Sequence, residues 1–367
     1  MAAYLAKEFR EVDFKDEDIR IIPSGETIGM IVRYQGDGTI DKSILLLGHM
    51  YVVEALDIDW DALFFGLTQD DKYFYGRGKI DNKLVITMLS STFIRLKKEG
   101  VIPNREISLV FTGDEETGMI TTKILANERP ELAKAEYALD SDAGGGDLDA
   151  NGKAIAYLVQ AAEKTYVSFE LTLRNKGGHS SRPRPDNAIY ELSTALLNIR
   201  DYHFPVMWSD MTREFFKVSG AQLGGKLGQA MTAFAADPSN KKASDRLETE
   251  SSYVGTTRTT CVTTMLTAGH AENALPQSAT ATVNCRIFPG VSVTQVKQTL
   301  QKVVENDAVE FVTLDSPVES LMSELRDDVM ASVNKAVRAR YPNVQTIAYM
   351  ESGSTDGMDF RKAGIPT

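Results

Sequence analysis

The residues able to do chemistry stand in four short clusters. Gly48-His49-Met50-Tyr51-Val52-Val53 offers an imidazole. Gly76-Arg77-Gly78-Lys79-Ile80-Asp81-Asn82-Lys83 delivers Asp81 from a glycine-rich turn. Asp114-Glu115-Glu116-Thr117-Gly118 holds consecutive acids, and Asp140-Ser141-Asp142-Ala143-Gly144-Gly145-Gly146 holds two more. Each has an ordinary explanation alone: a structural histidine after a strand, an aspartate N-cap, acids complementing a helix dipole, a solvated turn. Together they ask for more, because carboxylates crowded at one place raise one another's pKa. A divalent cation removes that penalty and supplies a reason for the crowding. Mixed imidazole and carboxylate donors suit zinc, with manganese or cobalt as the other choices.

The crowding follows from the elements that carry the clusters. Residues 43–47 (SILLL) and 107–111 (ISLVF) are continuous apolar runs, and 137–139 begins a third. Such runs fit strands buried on both faces of a mostly parallel sheet. Between the first two lies a helical pattern over 82–99, stopped by Gly100 and Pro103. This is βαβ organisation, an α/β sheet flanked by helices. Open α/β sheets bind ligands outside the carboxyl ends of their strands. His49, Glu115, Glu116, Asp140 and Asp142 all follow such ends.

From about Thr165 the pattern changes. Residues 166–174 (YVSFELTLR) alternate as a half-buried strand does. A helix over 187–202, alternating strands over 257–267 and 279–287, a helix capped by Ser292 and a strand over 309–314 follow. Together they make an inserted α+β sandwich over 165–316, carrying a polar, helix-prone insertion at 207–252. Residues 1–164 and 317–367 would form the α/β domain, with a helix to Arg340 and a strand over 346–350.

The chain has 367 residues, enough for two domains, and a net charge of −11. That charge argues against non-specific binding to nucleic acid or anionic membrane. No apolar run approaches the roughly 20 residues that cross a bilayer. The start lacks a secretory signal, so the default compartment is the cytoplasm. It reads instead as a short amphipathic helix with Tyr4, Leu5, Phe9 and Val12 on one side. Two cysteines, Cys261 and Cys285, exclude a disulfide-rich scaffold and are expected as buried thiols.

The clusters resemble, in order, the motifs of the dinuclear zinc exopeptidase and amidohydrolase family. That family includes aminoacylase, carboxypeptidase S, peptidase T, glutamate carboxypeptidase and succinyl-diaminopimelate desuccinylase. Its motifs stand here as GHMYVV, GRGKIDNKL, DEETG, LDSDAGGG and GGHSSRP, the resemblance running from about residue 25 to the end. It implies that His49 binds one metal, Asp81 bridges two, Glu116 binds the other and Glu115 is the general base. Asp142 fits the next ligand, with Asp140 as its competitor. The implied chemistry is cleavage of an amide near a free carboxylate, in short peptides or N-acyl amino acids. A metal-activated water attacks, and Glu115 carries its proton to the leaving amine.

The resemblance also implies a homodimer, in which the inserted domain is a lid and dimerisation module and His179 of Gly177-Gly178-His179-Ser180-Ser181 helps hold the oxyanion across the subunits. Asn273 and Arg286 resemble residues that bind the substrate carboxylate; guanidinium geometry suits that task. Gly353 and Ser354 resemble the glycine-rich loop lining the same pocket.

Three departures set further expectations. Tyr51 stands where the family has an aspartate that supports the ligand histidine, a loss typically costing about 10–100-fold. Leu84 stands where a glycine follows the motif lysine, and should crowd the metal loop. No histidine follows His270, so the Glu116 site is expected to lack one family ligand and only one of two zinc ions is expected to stay. A partial or degenerate chain follows as an expectation, with a catalytically impaired binding or dimerising module as the alternative function. A nucleotide-binding reading is weaker, because GRGKID lacks the spacing of a phosphate loop.

Overall fold

The computed structural model describes residues 1–148 and 151–367. Packing divides them into two compact units, Met1–Gly144 with Thr355–Thr367, and Gly145–Ser354.

The first unit opens with α1 (Ala2–Arg10). Ala2, Leu5, Ala6 and Phe9 are its buried stripe, and their three- and four-residue spacing leaves Tyr4 off it, 63% exposed. Then come β1 (Ile19–Ser24), β2 (Thr27–Tyr34) and β3 (Ile44–His49). A short hairpin of β4 (Thr68–Gln69) and β5 (Phe74–Tyr75) precedes α2 (Val85–Lys98). The rest is β6 (Ile107–Thr112), α3 (Ile120–Lys123), β7 (Tyr137–Asp140) and a C-terminal helix, Gly357–Lys362. The sheet order is β1-β2-β6-β3-β7.

The apolar runs at 43–47, 107–111 and 137–139 are the parallel part, with β3 between β6 and β7. The β1–β2 hairpin adds two antiparallel strands beyond β6, so the sheet is mixed. On one side Ile86 and Phe93 of α2 pack with Phe9, Met30 and Phe111. A second cluster joins Leu45, Leu47 and Val110 to Leu125 and to Phe360 of the C-terminal helix. These clusters fix the carboxyl ends of β3, β6 and β7 side by side.

The second unit begins with β8 (Gly145–Leu148), β9 (Ala154–Glu163) and β10 (Thr165–Arg174). It continues through β11 (Gly178–His179), α4 (Ala188–Asp201), α5 (Asp210–Leu223), α6 (Gly225–Ala236), α7 (Lys241–Glu248) and α8 (Ser251–Thr257). After these come β12 (Thr260–Ala268), β13 (Ala274–Leu275), β14 (Ser278–Ile287), α9 (Val293–Val303), β15 (Glu310–Thr313), α10 (Asp327–Arg340) and β16 (Gln345–Glu351). An antiparallel sheet, β12-β14-β10-β15, carries the sandwich core. Val167, Phe169, Leu171 and Leu173 face Leu192 and Ile199 of α4 and Val296 and Leu300 of α9. Asn187 caps α4 through its side chain, and Ser292 caps α9 in a capping box with Gln295.

A separate three-stranded sheet, β16-β9-β8, belongs to this unit as well. Ala156, Ile347 and Tyr349 pack on Phe215, Phe216, Met231 and Phe234 of the helices between 207 and 252. The compact division therefore falls at Gly144 and Ser354, while the sequence reading drew its boundaries at 164 and 317. The apolar face of that sheet finds its cover in the helical insertion, and this gathers 145–163 and 345–351 with it.

The expectation of two buried thiols is corrected. Cys261 on β12 pairs directly with Cys285 on β14, the Cα atoms lie 4.1 Å apart, and the two are joined in a disulfide. Among the described residues no helix is long and apolar enough to cross a membrane.

Candidate metal centre

His49 ends β3 and is 1% exposed. Its Nδ1 lies 2.8 Å from the main-chain carbonyl of Tyr51. A carbonyl only accepts, so Nδ1 carries the proton. Nε2 faces Asp81 Oδ1 at 2.9 Å and Asp142 Oδ1 at 3.3 Å. A ligand histidine needs its other ring nitrogen held by an acceptor, and here the main chain of Tyr51 supplies it. The Tyr51 side chain is 45% exposed and takes no part.

Asp81 is presented by the turn before α2, with non-helical backbone at Asp81 and Asn82. Two glycines let the chain close up. A Cβ on Gly78, whose φ is +69°, would lie 2.2 Å from Val52 Cγ1, and one on Gly48 would lie 3.0 Å from Asn82 Oδ1. Asn82 is buried and donates from Nδ2 to Asp142 Oδ1 at 2.8 Å, which aims Asp142 at His49. Asp140 accepts the Asp142 N–H at 3.2 Å and stands behind it. Leu84, expected to crowd this loop, is 48% exposed. The helix start turns about half of its surface to solvent.

Glu115 and Glu116 lie on the turn after β6. Asp114 builds that turn by accepting from the N–H groups of Ile120 and Thr121, at 2.6 and 2.9 Å. One ligand atom each from His49, Glu115 and Glu116 lies within 4.8 Å of the others, and the same holds for His49, Asp81 and Asp142. The structure thus brings together His49, Asp81, Glu115, Glu116 and Asp142.

The electrostatics are those of acids short of a counter-charge. Burial, then Asp356 and Asp142, push Glu115 up to about 9. Burial and Asp81 raise Glu116, and burial and Asp142 raise Asp140 to about 6. Burial disfavours the His49 imidazolium, but Asp142, the Tyr51 carbonyl and Glu115 outweigh it and push the ring up to about 10. Asn82 Oδ1 and Asp140 Oδ2 are buried without a hydrogen-bond partner. One imidazole and several mutually repelling carboxylates form a donor set that fits a divalent cation, which would relieve the repulsion.

The remaining candidates lie in the second unit. His179 is exposed, on β11 opposite Ala274 of β13, with Nδ1 2.8 Å from Ser181 Oγ. Ser180 N donates to the Asn273 carbonyl at 2.9 Å, so His179 and Asn273 are neighbours. Arg286 on β14 stacks over the Tyr166 ring at 4.7 Å. Gly353 and Ser354 follow β16, where Gly353 N donates to Glu351 Oε1 at 3.2 Å.

Family and structure comparisons relate the chain to known peptidases. The model described as peptidase dimerisation domain matches residues 161–312, and that described as peptidase family M28 matches residues 30–207. An M20 family metallo-carboxypeptidase of Sulfolobus solfataricus superposes with a TM-score of 0.74 at 19% identity, covering 100% of this chain and 84% of its own. In fold and in its dimerisation-domain match the chain is similar to M20 metallopeptidases. Among curated relatives it is 28% identical over 278 residues to the N-fatty-acyl-amino acid synthase/hydrolase PM20D1 of Xenopus tropicalis, covering 74% of this chain and 54% of the relative. It is 26% identical over 342 residues to probable carboxypeptidase S-like 2 of Dictyostelium discoideum, covering 89% and 64%. The chain therefore spans between half and two thirds of the length of these curated relatives.

Sequence reasoning gave no role to Asp114, the Tyr51 carbonyl, Asn82 or Asp356. Asn82 had a signal, its place beside Asp81 in the motif. Asp356 is 2% exposed and accepts from the hydroxyls of Thr112, at 2.5 Å, and Thr122. Burial and Asp140 push it up to about 7. Its presence in the loop after β16 was visible, its partners were not.

Proposed function

We propose that this chain is a metal-dependent hydrolase that cleaves an amide bond near a free carboxylate, in short peptides or N-acyl amino acids. The observation that carries the reading is the orientation of His49. The Tyr51 carbonyl holds Nδ1–H, which turns Nε2 to Asp81 and Asp142. His49, Asp81 and Asp142 would hold one cation, with Asp142 favoured over Asp140 because only its carboxylate reaches the imidazole. Asp81 and Glu116 would serve a second. Zinc suits the donors, with cobalt or manganese as substitutes. A bound cation would polarise the scissile carbonyl and acidify a water. Glu115, nearly buried beside His49, takes a proton from the attacking water and returns it to the departing amine.

For the second unit the reading is carboxylate recognition by Asn273 and Arg286, lining by Gly353 and Ser354, and oxyanion support from His179. A homodimer is supported by the dimerisation-domain match and by β12. It is an edge strand with Val262, Met265 and Leu266 exposed, which invites pairing with a second copy. The functional division stays as 1–164 with 317–367 for catalysis and 165–316 for dimerisation. N-acyl amino acids are favoured by the PM20D1 relative. They are favoured too by Tyr51 and Ile80, exposed apolar side chains that neighbour the ligands in the chain.

The test is metal analysis of the purified chain with hydrolysis assays on N-acyl amino acids and dipeptides. Expected are bound metal, turnover, and a fall in kcat of about 10²–10⁴-fold in Glu115→Gln with metal retained. A clean protein with neither metal nor turnover sinks the proposal; metal without turnover points to the impaired binding module.

A further inference from the structure

We infer that Lys164 is a positioning residue for carboxylate recognition, its buried amine standing beside Arg286 and setting how much positive charge an incoming anion meets. The inference rests on the reading of Arg286 as the carboxylate-binding residue.

Lys164 joins β9 to β10 and is 0% exposed. A fully buried lysine is normally paired with an acid. Here the partners are neutral: Nζ donates to the Arg258 carbonyl at 2.7 Å and to Thr260 Oγ1 at 3.2 Å. A neutral amine has two protons, and these two acceptors use both. Gly255 of α8 closes over this corner: an added Cβ would stand 2.2 Å from Ser352 Oγ, and in ordinary contact, 3.6 Å, with Nζ.

Thr260 ties Lys164 to Arg286. The residue whose hydroxyl accepts the lysine N–H is also the strand partner of Arg286, across β12 and β14. Arg286 is flanked on its other side by its partner Tyr166 on β10. Its Nη1 is buried without a hydrogen-bond partner, so one donor of the guanidinium is left for an acceptor from outside.

Of the acids near the pair, Glu351 offsets part of the Arg286 charge, while the Lys164 amine itself donates to neutral acceptors. Glu351, which favours the Arg286 charge, accepts from the N–H groups of Ser352 and Gly353 and from the Tyr349 hydroxyl. Glu163 on β9 accepts from Gln160. The Arg258 guanidinium is engaged by Glu248 at 3.0 Å. Burial and the Arg286 charge lower Lys164 to about 7. The sign follows. Below about pH 7 the amine gains a solvent proton, the site carries a second positive charge and an anion binds more tightly. Above it Arg286 acts alone. Conversely, a bound carboxylate draws a proton onto Lys164.

The experiment is calorimetric binding of N-acetyl-leucine and N-acetyl-leucinamide to the full chain between about pH 6 and 8.5, in buffers of different ionisation enthalpy. A binding readout needs no turnover. Expected is a gain in carboxylate affinity on the order of tenfold towards pH 6, with proton uptake on binding just above neutrality. The amide should show neither. Lys164→Met should keep a carboxylate preference but lose its pH dependence and the proton uptake. If that variant does not fold, Thr260→Val removes one acceptor of the amine and should move the midpoint to lower pH. Selectivity that is flat with pH in the wild type, or unchanged proton uptake in Lys164→Met, overturns the inference. Arg286→Met separates the two claims: a preference that survives it overturns the reading of Arg286 and this inference with it. A preference lost in Arg286→Met, with a pH slope indifferent to Lys164, overturns the inference alone.

Discussion

The two units each hold a largely buried cluster of like charges, and the clusters have opposite signs. Around His49, the acids Asp81, Glu115, Glu116, Asp140 and Asp142 outnumber the one imidazole, and burial drives Glu115, Glu116 and Asp140 towards their protonated forms. Around Arg286, the cation Lys164 is driven towards its neutral form by the same cost of burying charge. The pairing present does not balance either one: the acids outnumber His49, and Glu351 offsets part of the Arg286 charge while the Lys164 amine meets neutral acceptors. One cluster is short of a cation and the other of an anion. The difference teaches that a deficit of counter-charge is itself a binding signal, and that its sign names the class of ligand.

The largest effect should come from removing the shared donor of the acidic cluster. His49→Ala is expected to lower metal affinity by more than about 100-fold, beyond the loss of an outer partner, and amide hydrolysis with it. Carboxylate binding at Arg286 should persist. Metal titration alongside N-acetyl-leucine binding checks this, and a parallel loss of both would break the separation of the clusters.

Next in size is the disulfide. Cys261→Ser with Cys285→Ser opens a link of sequence separation 24, and should cost about 3 kcal/mol by loop entropy. Denaturant unfolding reads that cost. Both cysteines lie in the second unit, so metal affinity should stay within about twofold. A large drop in metal binding would contradict the assignment of each cluster to its own unit.

Legibility in the sequence followed the reach of the interactions. The strands at 44–49, 107–112 and 137–140 announced themselves as apolar runs, and their carboxyl ends located His49, Glu115, Glu116 and Asp142. The β1–β2 hairpin did not, because Arg20, Ile21 and Pro23 break any alternation in burial. Nor did β9, whose AIAYLVQAAE is rich in alanine, a helix former; parallel pairing with β16 overrides that preference. The pairing of Cys261 with Cys285 depended on register, which two alternating strands alone leave open. Asp356 was legible as a residue of a glycine-rich loop, yet its partner Thr112 lies 244 positions away. Lys164 carried no motif, and only full burial marks it.

Tyr51 shows the remaining gap and gives the smallest expected effect. Read as a side chain, it replaces an aspartate and should weaken the ligand histidine. Read in the structure, its carbonyl accepts the His49 Nδ1–H at 2.8 Å while its ring points to solvent. Any residue at position 51 brings the same carbonyl. Tyr51→Ala should therefore change metal affinity by less than about threefold, far below the 10–100-fold that follows loss of a true outer partner. Tyr51→Asp should gain little, since Nδ1 has a single proton and that proton is already held. A tenfold loss in Tyr51→Ala, or a tenfold gain in Tyr51→Asp, would mean that the carbonyl does not hold the ring. The acidic cluster would then lack the orientation of Nε2 on which its claim to a cation depends.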